Sequence, residues 1–286
     1  MARILIAGCG YVGSKLAEIL AGDGHEVWAL RRSEAPAPTG ARTIRADLLD
    51  VDRLRALPSG IEVAFYTASA GGGDDRAYRS AYVDGLRYLL AALDSHPIRR
   101  ILYTSSTGVY AQSGGEWVDE DSAAEPEHFS GRRLLEGEHL LLGSRFPATV
   151  VRLAGIYGPG RSRLVERVRQ GDAVIPGRTP VYANRIHRDD CALVLRHLMT
   201  LESPAPLYAG ADHEPADLAT VLRWIADRLG VSPPRIEAAE TGARYGRASS
   251  KRVRNERLLA SGYRFRYPTF REGYGELIAR DGATGD

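Results

Sequence analysis

The chain is poor in lysine and in cysteine. Of its 38 basic residues only Lys15 and Lys251 are lysines, and Cys9 and Cys191 are its two cysteines. Two cysteines cannot build a disulfide framework, and neither sits among histidines as a zinc site requires, so both read as small buried hydrophobes and no metal is expected. No apolar run approaches the ~20 residues that crossing a bilayer takes, and the opening MARILIAG is too short for a secretory core. A cytoplasmic protein with no membrane partner is the expectation. Charge of one sign is also missing: 38 basic against 36 acidic residues leave +2, too little for a broad field toward nucleic acid. Tyrosine is absent between Tyr110 and Tyr157, and lysine between Lys15 and Lys251.

What is present fits an ordinary globular protein. A chain of 286 residues, 44% hydrophobic and 26% charged, is long enough to bury a sizeable core. Up to residue 155 short apolar runs alternate with amphipathic stretches. Residues 3–8, 25–32, 62–68, 99–106 and 147–155 each read as a strand rich in β-branched, leucine or aromatic residues. Helical patterns such as VGSKLAEILAG and AYVDGLRYLLAALDS lie between them. Strand, helix, strand repeated in this way predicts an α/β fold, a doubly wound parallel sheet of the Rossmann kind with a smaller C-terminal lobe. The expected domains are 1–155 for dinucleotide binding and 156–286 mainly for substrate, with about 178–200 returning to the first. The cleft between them is expected to hold cofactor and ligand. Helices are expected in HRDDCALVLRHLMT and EPADLATVLRWIADRLG, and irregular chain over residues 231–250.

Directly after the first strand comes GCGYVG, with Gly8, Gly10 and Gly13 in a G-x-G-x-x-G that opens a helix through Tyr11 and Val12. Bare glycines let such a turn close and let the backbone approach a pyrophosphate, which then rests on the unpaired amides and positive end of the helix. The nucleotide's ribose should be read at the end of the second strand, where an acidic residue would favour NAD. Here Leu30, Arg31, Arg32 and Ser33 stand instead. Guanidinium groups and a hydroxyl suit a 2′-phosphate, so NADP(H) is favoured over NAD(H). Asp47 either accepts from the adenine amino group or caps the helix that follows it. SAGGGDDRAY after the third strand, beginning Ser69 after Ala68, reads as a loop flanking the cofactor.

These motifs, with YTSSTGVY, RLAGIYGPG, NRIHRDD and the C-terminal SSKRVRNERLLASGYRFRYPTFREGY, resemble over nearly the whole length the extended short-chain dehydrogenase/reductases. The resemblance is closest to an atypical epimerase/dehydratase-like subgroup. It implies an NAD(P)-dependent oxidoreductase or epimerase-like enzyme acting on a small polar, nucleotide-linked substrate, and dimers formed through helices beside the site. It further implies a Ser or Thr, a Tyr and a Lys around the carbon that exchanges hydride. The matching hydroxyl is Ser106, with Thr107 beside it toward substrate.

The dyad itself is missing. The helix that should carry Tyr-x-x-x-Lys is HFSGRRLLEGEHLLL, whose basic position falls on Arg132 or Arg133 and whose tyrosine position falls on His128 or Phe129. In one reading His128 replaces the phenol with Arg132 one helical turn away, since residues four apart share a helix face. In the other Phe129 packs, the arginines bind solvent, carboxylates or cofactor phosphate, and the proton-transfer machinery is lost. Tyr157 is a further candidate acid or base, and otherwise a packed loop anchor. Arg185 is a candidate for an anionic substrate group, and otherwise part of an exposed ion pair. Asp189 or Asp190 is expected to cap the helix after NRIHR. A non-catalytic NADP(H)-binding regulator is the rival reading.

Overall fold

Seven stretches, six of them largely apolar, pair into one sheet. They are β1 (Arg3–Ala7), β2 (Glu26–Arg31), β3 (Arg42–Arg45), β4 (Val63–Tyr66), β5 (Arg100–Ser106), β6 (Ala148–Leu153) and β7 (Leu207–Gly210), in the spatial order β7-β6-β5-β4-β1-β2-β3. Every neighbouring pair from β6 to β3 is parallel. The computed structural model describes residues 1–177, 180–236 and 250–283. The five strands expected from apolar runs are all present, trimmed by up to two residues at their ends. The short β3 before Asp47 and the β7 that follows Pro206 join them.

Both faces of the sheet are covered, which is why its strands read as continuous apolar runs rather than as alternating ones. All four residues of β4 are buried, as are four of the five in β1. In α1 (Tyr11–Gly22) the buried Val12, Gly13, Leu16, Ala17 and Leu20 form one stripe, spaced so that successive turns meet the sheet. Two short helices follow, α2 (Val51–Arg55) and α3 (Asp75–Arg79). A wide π-type turn over Ser80–Asp84 then leads into α4 (Gly85–Ala92), and α5 (Phe129–Leu142) precedes β6. Chain order reverses beside β1, with β2 to one side and β4 to the other. The crevice outside the carboxyl ends of those two strands is where such sheets bind ligands.

Contacts divide the chain into two compact units. Unit 1 comprises Met1–Tyr110, Ala123–Leu153 and Cys191–Tyr208, and unit 2 comprises Ala111–Ser122, Ala154–Asp190 and Ala209–Asp286. Unit 1 has its core on one face of the sheet around Leu5, Tyr66, Leu86, Leu89 and Tyr103. Unit 2 has its own, built from Tyr157, Val165, Val168, Leu222, Ile225, Phe270 and Tyr274. The two later helices expected from sequence span Arg188–Thr200 and Leu218–Leu229. Of the segment expected to be irregular, Arg235–Ile236 and Ser250–Val253 are short strands, and residues 237–249 lie outside those described. Residues 178–179, within the stretch expected to return to the first domain, also lie outside them.

Candidate functional site

The β1–α1 turn is built by glycines that act for different reasons. Gly8 has φ +82°, and a Cβ there would lie 2.3 Å from the Ala68 Cα, so both conformation and space demand glycine. A Cβ on Gly13 would lie 2.6 Å from Thr67 Oγ1, whose hydroxyl donates to the Gly8 carbonyl at 3.0 Å. Gly10 differs: a Cβ there would meet only the Gly8 oxygen, at 3.8 Å. Among the described residues nothing else comes within 4 Å of that position, and Gly10 leads directly into α1, a helix with no side-chain cap and no acidic residue in its first turn. Cys9 lies between these glycines, its thiol pushed up in pKa by burial and thus kept neutral.

Gly8 and Gly10 line a cavity of 720 Å³ in unit 1, together with Arg31, Arg32, Ser33, Asp47, Ala68 and Ser69. The structure thereby brings eight of the eleven residues expected at a cofactor into one wall. Tyr11, Val12 and Gly13 are outside the lining, and the latter two are buried in the α1 packing stripe. Leu30 and, from the SAGGGDDRAY loop expected beside the cofactor, Gly71, Gly72, Asp74, Arg76 and Ala77 also line it; sequence reading did not name the apolar Ala46, Leu48 and Leu49, nor Ser80 and Ala81. Asp74 of that loop caps α3 by accepting the Ala77 N–H at 2.7 Å.

The two arginines at the end of β2 do different work. Arg31 is buried and turns inward, donating from Nε and Nη2 to Ser33 Oγ at 3.1 and 2.9 Å and from Nη1 to the Pro36 carbonyl at 2.9 Å. Arg32 is exposed and pairs with Asp47 at 3.3 Å, with its guanidinium against Gly71. Asp47 does not cap a helix. Asp50 does, accepting from the Arg53 N–H, while the second Asp47 oxygen accepts from Leu49 N–H in a local turn.

Ser106 ends β5 and its Oγ accepts the Gly108 N–H at 3.1 Å. Thr107 is buried beside it and its carbonyl accepts the Tyr110 N–H. The head of α5 lies against this turn, because a Cβ on Gly131 would come within 2.7 Å of the Gly108 oxygen. His128 does not share a helical face with Arg132, as one reading of the sequence required. It precedes α5 in extended conformation and caps it, its Nδ1 accepting the Ser130 N–H at 3.3 Å and lying 2.8 Å from Ser130 Oγ. Arg132 points away to the Glu127 carbonyl and lines a separate shallow depression with Glu136 and His139. Arg133 makes a two-pronged pair with Asp75 at 2.8 and 2.9 Å. Phe129 stands edge-on to Tyr78, whose ring in turn packs on Tyr82.

Two expected site residues belong to the core of unit 2. Tyr157 is 4% exposed, stacks on Tyr274 at 4.5 Å, and presses its hydroxyl so close to Gly273 that a Cβ there would lie 1.9 Å away. Burial pushes its phenol far above the ordinary range, and its packing is that of a loop anchor. Arg185, 6% exposed, donates to the Ala183 carbonyl and acts electrostatically on the buried Asp212, so it is not part of a surface ion pair. Asp190 is no cap either: the helix from Arg188 begins with His187 Nδ1 accepting the Asp189 N–H. The Asp190 carboxylate instead receives Tyr263 Oη, Arg266 N and Tyr267 N at 2.6, 2.8 and 2.9 Å.

Among the described residues no cluster of His, Cys, Asp and Glu could hold a metal, and no helix is long and apolar enough to cross a membrane. Residues 4–197 match the model of the NAD dependent epimerase/dehydratase family. A curated relative, the 3-diazoavenalumate denitrifying reductase of a Streptomyces species, is 28% identical over 302 residues, covering 96% of this chain and 99% of the relative. Among solved structures, a candidate NAD-dependent epimerase/dehydratase from Methylobacillus flagellatus superposes with TM-score 0.82 at 37% identity, covering 98% of this chain and 99% of that one. The human epimerase family protein SDR39U1, solved with NADPH, superposes with TM-score 0.79 at 21% identity, covering 97% and 99%, and shares the fold.

Proposed function

Because the chain belongs to the NAD dependent epimerase/dehydratase family, we propose that it is a nicotinamide-dependent oxidoreductase or epimerase-like enzyme using NADP(H) on a small polar, nucleotide-linked substrate. The open space above Gly10 carries this reading. The fold needs glycine at positions 8 and 13 for its own packing, whereas glycine at 10 serves only something that comes from outside. Residues Gly8 to Gly13 would hold the pyrophosphate on the amides and dipole of α1. The shelf of Leu30, Ala46, Leu48 and Leu49 would take the adenine, with Asp47 toward its amino group. A cavity of 720 Å³ falls in the range of cofactor and ligand sites. The guanidinium-bearing turn at Arg32, with no acid at the ribose position, favours the 2′-phosphate of NADP(H).

When bound, the cofactor supplies or accepts a hydride. The protein's part is to place the substrate oxygen and move a proton. Ser106 Oγ, fixed by the Gly108 amide, orients that oxygen, and Thr107 shapes the wall beside it. His128 is the exposed titratable group at the head of α5, next to the Ser106 turn, and is assigned the proton shuttle, with water as its relay. Losing a well-placed acid typically slows such a step ~10²- to 10⁴-fold without abolishing it, so turnover without the Tyr/Lys pair is slow rather than absent.

The rival is a regulator that binds NADP(H) without turnover, and the absence of any tyrosine or lysine from α5 favours it. The test is oxidation of NADPH, followed by its fluorescence, across small carbonyl compounds and nucleotide sugars. Consumption by the wild type that is lost in Ser106→Ala supports the enzyme. Firm NADPH binding with no consumption across the panel supports the regulator. No affinity for either coenzyme at millimolar concentration overturns both.

A further inference from the structure

The lining of the cavity includes a further cation that no motif announces. Arg76 lies on α3, lines the same cavity as Arg31, Arg32 and Ser33, and is exposed. The other charges of its short helix are already occupied. Asp74 caps the helix through the Ala77 N–H, Asp75 is held by Arg133, and Arg79 pairs with Asp84 at 3.5 Å. Arg76 has no ion pair among the described residues, which leaves its charge available to whatever enters the cavity.

The β2 turn offers less to an anion than its sequence suggests. Arg31 commits three of its five N–H groups to Ser33 and Pro36, so it braces the turn and has few donors left to face the cavity. Arg32 remains, and its guanidinium lies against Gly71, in the loop that runs into α3. Asp47 balances it at 3.3 Å. One exposed guanidinium shared with a carboxylate is a weak receptor for a dianion, whereas two guanidiniums approaching from opposite walls make a strong one.

Building on the NADP(H) reading above, we propose that Arg76 is the second phosphate-reading residue: Arg32 from the turn after β2 and Arg76 from α3 clamp the 2′-phosphate between them, and Arg31 serves as a brace. Coenzyme selectivity is then divided between two segments that the sequence separates by more than forty positions. Gly71 is part of the device, since a Cβ there would lie 2.9 Å from Arg32 Nη2 and push the guanidinium aside.

The experiment is fluorescence titration of the purified protein with NADPH and separately with NADH, for the wild type, Arg76→Ala, Arg76→Lys and Gly71→Ala. Arg76→Ala should weaken NADPH about tenfold and NADH less than about twofold, a tenfold change being ~1.4 kcal/mol. Arg76→Lys should recover part of the loss, and Gly71→Ala should also weaken NADPH selectively. Equal weakening of both coenzymes would place Arg76 on the pyrophosphate instead and overturn the clamp. So would an unchanged preference for NADPH in Arg76→Ala. A wild type that binds NADH as tightly as NADPH removes the NADP(H) reading itself, an outcome distinct from either.

Discussion

The Arg152 guanidinium lies 2.7 Å from the Glu138 carboxylate with both side chains buried, and the same carboxylate accepts the Ser105 hydroxyl at 2.5 Å. Three elements meet there: α5 through Glu138, β6 through Arg152, and β5 through the residue next to Ser106. Burial opposes the charge on Arg152, but the Glu138 bonds prevail and hold its pKa above the ordinary value. Glu138→Gln leaves a buried cation without its counter-ion. By chemical denaturation it should cost about 3–5 kcal/mol, and pairing it with Arg152→Met should return most of that loss. A double variant as unstable as the single one would show that the pair does not act as a unit.

Gly8 and Gly10 should separate fold from binding. Gly8→Ala forces a positive φ on a residue with a Cβ and drives that atom into the Ala68 backbone. Destabilisation of at least ~2 kcal/mol is expected, read as a fall in melting temperature. Gly10→Ala should melt with the wild type yet bind NADPH about tenfold or more weakly, because its methyl occupies only the open space. If Gly10→Ala binds as the wild type does, the space above it is not where the coenzyme lies.

Asp212 should make stability depend on pH. Its carboxyl is 2% exposed, with one oxygen accepting from Glu214 N–H and the other without a hydrogen-bond partner among the described residues, and burial raises its pKa to about 8. Arg185 opposes the rise, while Glu214 and Asp190 add to it; Tyr157 and Tyr274 stand nearby with phenols that stay neutral. Between the unfolded value of ~3.9 and about 8 the folded chain keeps a proton that the unfolded chain has released, so stability falls as pH rises through that window. Melting temperature should therefore drop from pH 5 to pH 8.5, by about 2–4 °C for each kcal/mol lost. Asp212→Asn keeps the acceptor for Glu214 and should flatten that slope. A slope unchanged in the variant would assign it to another group.

Local features were legible in the sequence and remote ones were not. The glycine turn announces itself because strand, turn and helix are contiguous and each glycine acts on near neighbours. Arg31 reads as a phosphate ligand until the chain is seen to fold back at Pro36 and absorb its donors. Arg76 stayed hidden because only the pairing of β4 with β1 carries its loop over the cavity. Tyr157 and Arg185 looked like site residues because their neighbours Gly273 and Asp212 come from far along the chain. His128 fell on the wrong side of a helix boundary by one position, and that single position turns a face-sharing pair into a cap.

The clasp on Asp190 bears on how the protein is made. Its buried carboxylate accepts from Tyr263, Arg266 and Tyr267, more than seventy residues further along the chain. While a ribosome still holds that stretch, the NRIHRDD segment has been synthesised, but burying the Asp190 carboxylate without those donors would leave a charge stripped of water and unpaired. The middle of unit 2 must therefore wait for its end, and a nascent chain stalled before Tyr263 should offer proteases a frayed segment around residue 190 while the earlier strands are already set.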